Sequence, residues 1–302
     1  MLKNIVSAYT TQHHHAKEHK KKENHVVDID HDIKYLLFNK KVLIKFIYKK
    51  EEIVLKLRNN TKIVYFIDMI GKLLNFEHNV EMEKIQFLLE NKYELFNFQH
   101  FFIIDLLSLY KKEITFDSLN KEMEIYKIHI NFNGTPGLYN SLDITSVADF
   151  ENKNVLRLKF FEDWRQATHI MFNNSKKMLK MSVSDSNDLW NSYFLSTDEG
   201  TSKKFYSVIM KNKLILLDKK IPCRLLYLND KKLVMREPIA EPDSTLESFI
   251  TKSELNIDSF VIQIQGIQIE NGSFSLKELY DIFHSPNGFL YICLYQKHKK
   301  QH

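Results

Sequence analysis

The side chains best suited to covalent chemistry in this chain are two thiols, Cys223 and Cys293. A cysteine attacks as its thiolate, which needs an electropositive and partly exposed setting. Both sit instead among apolar neighbours, Ile221-Pro222-Cys223 and Ile292-Cys293-Leu294, in runs that read as strands, so both are expected to be buried core residues. Two cysteines placed this way indicate no disulfide framework and fit a reducing compartment. Metal chemistry is not indicated either. His13, His14, His15, His19 and His25 crowd the N-terminus without a fixed Cys/His ligand spacing. Asp28, Asp30 and Asp32 match the first ligands of a calcium loop, yet Ile33 stands where its glycine belongs and Asn39 where its bidentate acid belongs. Gly134 and Gly137 are the one close glycine pair, and no G-x-G-x-x-G, Walker loop or G-x-S-x-G occurs. No cofactor, metal or catalytic group is therefore expected, and the chain does not read as an enzyme.

The chain's 302 residues, 44% of them hydrophobic, suffice for two small domains with connecting structure. The net charge of +5 comes from 43 basic and 38 acidic residues spread along the chain, a weak pointer to nucleic acid. The most apolar run, Phe101 to Leu107, is short and broken by Asp105, and the His- and Lys-rich start lacks a signal-peptide core. A cytoplasmic protein is expected. Residues 1–31 show no periodicity and read as a disordered polar tail.

The last quarter carries a continuous pattern. A strand from Ile221 to Leu228 turns at Asn229-Asp230 into a second, Leu233 to Ala240. Ser244 and Glu247 have capping-box spacing ahead of a helix with Leu246, Phe249 and Ile250 on one face. Ile262 and Ile264 then alternate with Gln263 and Gln265, and Gly266 suggests a bulge or a close backbone approach before Ile267 and Ile269. A second capping box, Ser275 to Glu278, opens a helix, and Phe289 to Tyr295 is the last strand. The order β-β-α-β-α-β recurs from Val42, through strands Val42–Tyr48 and Ile53–Leu57, a helical stripe of Ile63, Phe66, Ile67, Ile70 and Leu74, and a closing alternation of Tyr126, Ile128, Ile130 and Phe132. Between the copies, Val155 to Met171 and Asp188 to Met210 are helically patterned. The expectation is an α+β chain of two ubiquitin-like β-grasp domains flanking a helix-rich region, with boundaries at 32–135, 136–214 and 215–302.

This arrangement resembles the autophagy protein 5 family. The residues that carry the resemblance are Ile221-Pro222, Arg236-Glu237-Pro238-Ile239-Ala240, Gln265-Gly266-Ile267, Pro286 to Ile292, and Asp188-Leu189-Trp190 in the helical part. The resemblance implies a non-catalytic scaffold of an E3-like complex. Such a scaffold joins an autophagy protein 12-like ubiquitin-like protein and binds an autophagy protein 16-like coiled-coil helix. It thereby promotes lipidation of autophagy protein 8, carried by an E2-like enzyme, with phosphatidylethanolamine at a preautophagosomal or other organelle membrane. The family's acceptor lysine falls, by resemblance, at Arg165, or at Gln166 without a gap. Neither side chain supplies the neutral amine that attack on a thioester requires. Lys176 lies eleven residues on, roughly 16 Å along if the helix continued, which Asn173-Asn174-Ser175 disfavours. A non-covalent hold on the autophagy protein 12-like partner is expected, with Arg165, Gln166 and Trp190 as candidate partner-binding residues.

Each candidate has a plainer reading. Arg165 fits an ordinary surface ion pair, and a tryptophan on a helical stripe, Trp164 or Trp190, fits a core as well as an interface. The scattered lysines fit solvated faces as well as anionic lipid. A rival function, a basic nucleic-acid-binding module, rests on the pI of 8.8 but lacks an aromatic and basic strand pattern. An active ubiquitin-like modifier is disfavoured because Lys297 to His302 does not end in glycine.

Overall fold

The computed structural model of the chain describes residues 34, 37–76, 85–95, 102–110, 125–132, 153–194, 200–229, 232–270 and 272–297. The polar stretch 1–31 with its histidines, and Asp28, Asp30 and Asp32, lie outside the described residues. Strands β1 (Lys41–Tyr48) and β2 (Glu51–Arg58) form an antiparallel hairpin. Alternation buries Val42, Ile44, Phe46 and Tyr48 of β1 on one face, as a period of two requires. A 3-10 turn, Ile63–Phe66, leads into α1 (Ile67–Leu73), and Ile63, Ile67, Ile70 and Leu74 are buried as one stripe. Strands β3 (Gln86–Leu89) and β4 (Tyr93–Glu94), helix α2 (Ile103–Tyr110) and strand β5 (Ile125–Asn131) complete this unit. The sheet order is β2-β1-β5-β3-β4, with β1 and β5 parallel and Ile44 opposite Tyr126.

Helices α3 (Lys153–Phe172), α4 (Lys176–Leu179), α5 (Val183–Phe194) and α6 (Gly200–Lys211) form the middle region. The second unit contains β6 (Cys223–Asn229), β7 (Lys232–Arg236), α7 (Leu246–Lys252), β8 (Phe260–Ile264), β9 (Ile267–Gln268), α8 (Leu276–Phe283) and β10 (Leu290–Gln296). Its order, β7-β6-β10-β8-β9, with β6 and β10 parallel, repeats that of the first sheet strand for strand. Both units are ubiquitin-like folds. Among the described residues, no helix is long and apolar enough to cross a membrane.

Three local expectations need correction. The N-cap of α7 is Thr245, whose Oγ1 accepts from the Ser248 N–H; Ser244 and Glu247 form no capping box. The reason is that the Leu276 N–H binds the Ser244 carbonyl and Thr245 bridges Ser275, which holds the chain extended one residue longer. The expected box at Ser275 and Glu278 does form. Gly266 marks no bulge. Gln265 (φ 48°) and Gly266 (φ 77°) are the two central residues of a tight turn that pairs Ile264 with Ile267, and consecutive positive φ values define that type I′ geometry. The second strand stops at Arg236, because Pro238 has no N–H to continue the ladder, and Ala240 only bridges Ile221.

The second sheet is covered on both faces. Leu290, Ile292 and Leu294 of β10 pack under α7 and α8, against Phe249, Ile250, Leu279 and Phe283. Phe289, Tyr291 and Cys293 point the other way, into the core shared by the first unit and the helices. That double coverage is why β10 reads as an unbroken apolar run instead of an alternating one. Residues 37–39 are helical and cross between units: Leu37 enters the second unit's core, while Phe38 packs on Phe205 with ring centroids 4.9 Å apart. The Lys34 ammonium lies 3.4 Å from Asp281 of α8. The segment thus serves the second unit as well as the first.

Both cysteines are buried and free, and burial pushes both thiols up, so neither is poised to attack. Cys293 donates to Asp105 of α2, Sγ to Oδ1 3.6 Å. Asp105 is fully buried, its Oδ2 has no partner, and burial raises its carboxyl to about 7. Unfolded, it would titrate near the usual ~3.9. The folded state therefore binds the extra proton. Its stabilising contribution is complete below about pH 4, declines as pH rises through about 7, and is gone above it, a span on the order of 4 kcal/mol. Urea unfolding of Asp105→Asn at pH 5 and pH 8 should show a smaller loss of stability across that interval than the unsubstituted chain. An unchanged loss would assign the pH dependence elsewhere.

Candidate partner-binding site

Helix α3 has two faces with opposite jobs. Leu156, Phe160, Trp164, Ala167 and Met171 are buried, at spacings of three and four. Leu158, Glu162, Arg165 and His169 occupy the outer face at the same periodicity. The buried side also contains Asp163, which packing alone would exclude. Arg224 of β6 reaches it with both terminal nitrogens, at 3.3 and 3.2 Å from Oδ1, while Asn287 donates to Oδ2 at 3.0 Å. The Lys62 ammonium, from the loop after β2, stands 3.7 Å from Oδ2. Burial alone would raise the Asp163 carboxyl. The Lys62 and Arg224 cations and the Asn287 amide outweigh it and hold the group below the usual carboxylate range. Burial lowers the Lys62 ammonium, with Asp163 opposing.

Arg224 leaves no nitrogen idle. Its Nε donates to Glu237 at 2.7 Å, Nη1 to the Tyr291 hydroxyl at 2.7 Å and Nη2 to the Gln166 carbonyl at 3.0 Å, and the guanidinium lies 3.8 Å over the Phe289 ring. Trp164 Nε1 donates to the Pro286 carbonyl at 2.9 Å. Gly288 (φ +85°) lets the chain pass this indole: a Cβ there would sit 2.9 Å from Trp164 Cε3 and 3.1 Å from the Ala167 Cβ.

The expected site residues separate on this frame. Arg165 is 43% exposed by side chain and makes a 3.9 Å ion pair with Glu162, an arrangement that fixes nothing. Gln166 is committed, accepting from Arg224 and donating Nε2 to Glu237 at 2.8 Å. Glu237 brings the edge of the second unit to Gln166 of α3, and Ile239, two residues further along that edge, is 72% exposed. Lys176 is exposed, but α3 stops at Phe172 and Asn173 turns left-handed (φ 56°), so Lys176 starts a separate helix. Trp190 is corrected. Only 5% exposed, it stacks on Phe194 at 4.6 Å and meets Phe160 and Tyr65, so it is a core residue and offers no surface to a partner. Among the described residues, no group of three His, Cys, Asp or Glu side chains could hold a metal ion. Sequence reasoning missed Asp163, Arg224 and Asn287. The available signal was a carboxylate in phase with the apolar stripe of α3.

A chain of two ubiquitin-like folds locked through a helical bundle is a defined class of protein. Residues 153–214 match the family model "Autophagy protein ATG5, alpha-helical bundle region", and residues 220–294 match "Autophagy protein ATG5, UblB domain". Autophagy protein 5 of Candida glabrata is 27% identical over 152 residues, 49% of this chain and 53% of that protein. Autophagy-related protein 5 of Kluyveromyces marxianus is 30% identical over 134 residues, 43% of this chain and 46% of that protein. The matched stretch thus spans about half the length of these curated relatives. The crystal structure of Kluyveromyces marxianus Atg5 superposes with a TM-score of 0.67 at 15% identity, covering 88% of this chain and all of that one, a likeness of fold. Residues 153–214 and 220–294 are thus similar to the helical-bundle and UblB regions of the autophagy protein 5 family.

Removing Asp163 leaves the buried Lys62 ammonium without its carboxylate and Arg224 with Glu237 alone. Asp163→Ala should lower stability by about 3–5 kcal/mol in urea unfolding, and Gly288→Ala should destabilise as well. Arg165→Ala, on the outer face, should stay within about 0.5 kcal/mol. Equal losses at positions 163 and 165 would contradict this division of α3.

Proposed function

We propose that the protein is a non-catalytic scaffold in the autophagy protein 12–5–16 system. It holds an autophagy protein 12-like ubiquitin-like protein without a covalent bond and carries an autophagy protein 16-like helix. It thereby promotes transfer of autophagy protein 8 from its E2-like enzyme to phosphatidylethanolamine, acting peripherally at a membrane. The matches of residues 153–214 and 220–294 to that family's models support a place in the system. The observation that carries the non-covalent reading is that Arg165, where the resemblance puts the family's acceptor lysine, is half-exposed on the outer face of α3. An isopeptide bond forms when a neutral amine attacks the thioester carbonyl and expels the thiolate; a guanidinium with a pKa above about 12 keeps its proton. Gln166, at the alternative position, has no amine and is bound into the Arg224 network.

Scaffolding of this kind is positional. Holding a charged E2-like enzyme near a lipid amine raises their effective concentration without any catalytic group on the scaffold. The outer face of α3, together with the edge at Glu237 and Ile239, is the surface offered to the autophagy protein 12-like partner.

Co-expression with the autophagy protein 12-like protein and its E1-like and E2-like enzymes tests the reading. A native column should co-elute the two proteins, and a denaturing gel should show them unlinked. Arg165→Glu should weaken co-elution. A shifted denaturing band would overturn the non-covalent hold, and its loss in Lys176→Arg would place the link there.

A further inference from the structure

At the end of the bundle remote from the Asp163 network, the C-termini of α3 and α6, helix α4 and the chain leading to β6 enclose a concavity of about 420 Å³. Phe172, Ile209, Ile215 and Leu216 give it an apolar lining, and Met210, 71% exposed, stands at its edge. Its two charged residues are Lys177 and Lys213, both basic. Lys177 Nζ lies 5.7 Å over the Phe172 ring, and among the described residues neither lysine is in an ion pair. The neighbouring Lys211, by contrast, is neutralised by Asp185 at 2.8 Å.

An apolar hollow with two unmatched cations suits a ligand with an apolar body and an anionic end. Size decides between ligand classes. Two turns of an α-helix with side chains occupy about 900 Å³, too much for this hollow, whereas an extended hydrocarbon chain fits. We infer that the concavity binds single-chain anionic amphiphiles, with the chain on Phe172, Ile209, Ile215 and Leu216 and the head group on Lys177 and Lys213. This site is separate from the outer face of α3 and does not depend on the scaffold reading.

Calorimetry on the full chain with octyl, decyl and dodecyl phosphate, each below its micelle concentration, tests the site. Each methylene buried is worth about fourfold in affinity, so each two-carbon step should tighten a 1:1 complex about fifteenfold. Dodecyl maltoside, with the same chain and a neutral head, should bind at least tenfold more weakly than dodecyl phosphate. The doubly substituted Lys177→Glu, Lys213→Glu chain should lose at least tenfold for dodecyl phosphate. Absence of saturable binding, equal affinity for the two head groups, or indifference to the lysine substitutions would overturn the inference. So would binding to phosphatidylserine vesicles without binding to the monomeric phosphates, which would describe a membrane-facing surface instead of a pocket.

Discussion

A single carboxylate organises this molecule. Asp163 lies where α3 meets both ubiquitin-like units, and each unit sends one cation to it, Lys62 from the first and Arg224 from the second. A buried ion pair adds little net stability over well-packed apolar groups, because desolvation offsets most of the Coulomb attraction. Its effect is on geometry. An uncompensated charge in that setting costs several kcal/mol, so arrangements that separate Lys62, Asp163 and Arg224 are excluded. With Tyr291, Gln166, Glu237 and Asn287 completing the hydrogen bonds, one relative placement of the three parts satisfies every charge.

Apolar packing supplies the cohesion that this network directs. The helices present Phe160, Trp190, Tyr193 and Phe194 as a connected aromatic group, joined to the first unit through Tyr65. The second unit inserts Phe289 and Tyr291 from below, and Tyr291 meets Phe102 at 5.1 Å, edge to face. Gly288 makes the closest approach possible beside Trp164. The sheet face on which a free ubiquitin-like protein could receive partners is, in the second unit, already occupied by its own chain.

Much of this was legible in the residues. Period-two burial in β1, the Ile63 to Leu74 stripe and the Ser275 capping box follow from local physics, and each unit's strand order follows from the recurrence of those signals. The exposure of Arg165 also follows, since it falls out of phase with Phe160 and Trp164. What was illegible depends on contacts distant in sequence. Asp163 looks like a misplaced surface acid until Arg224, 61 residues later, is brought beside it. The type I′ turn was obscured because Gln265, not glycine or asparagine, takes its first left-handed position. Thr245 displaced Ser244 as cap because of a bond from Leu276, across the hairpin-like crossing of α7 and α8. Helical periodicity favoured a core place for Trp190 without deciding it, and the aromatic group around it supplies the burial.

The crossing of Leu37 into the second unit's core sets a timetable for biogenesis. Ribosomes release the first unit, from β1 to β5, before β6 exists, and domains generally fold as they emerge. Leu37 must then wait, solvent-exposed and tethered to a finished neighbour, until residues from Ile221 to Leu294 have formed the core it enters. A residue made ahead of the first unit is therefore among the last to reach its place, and the second unit is complete only when that segment returns to it.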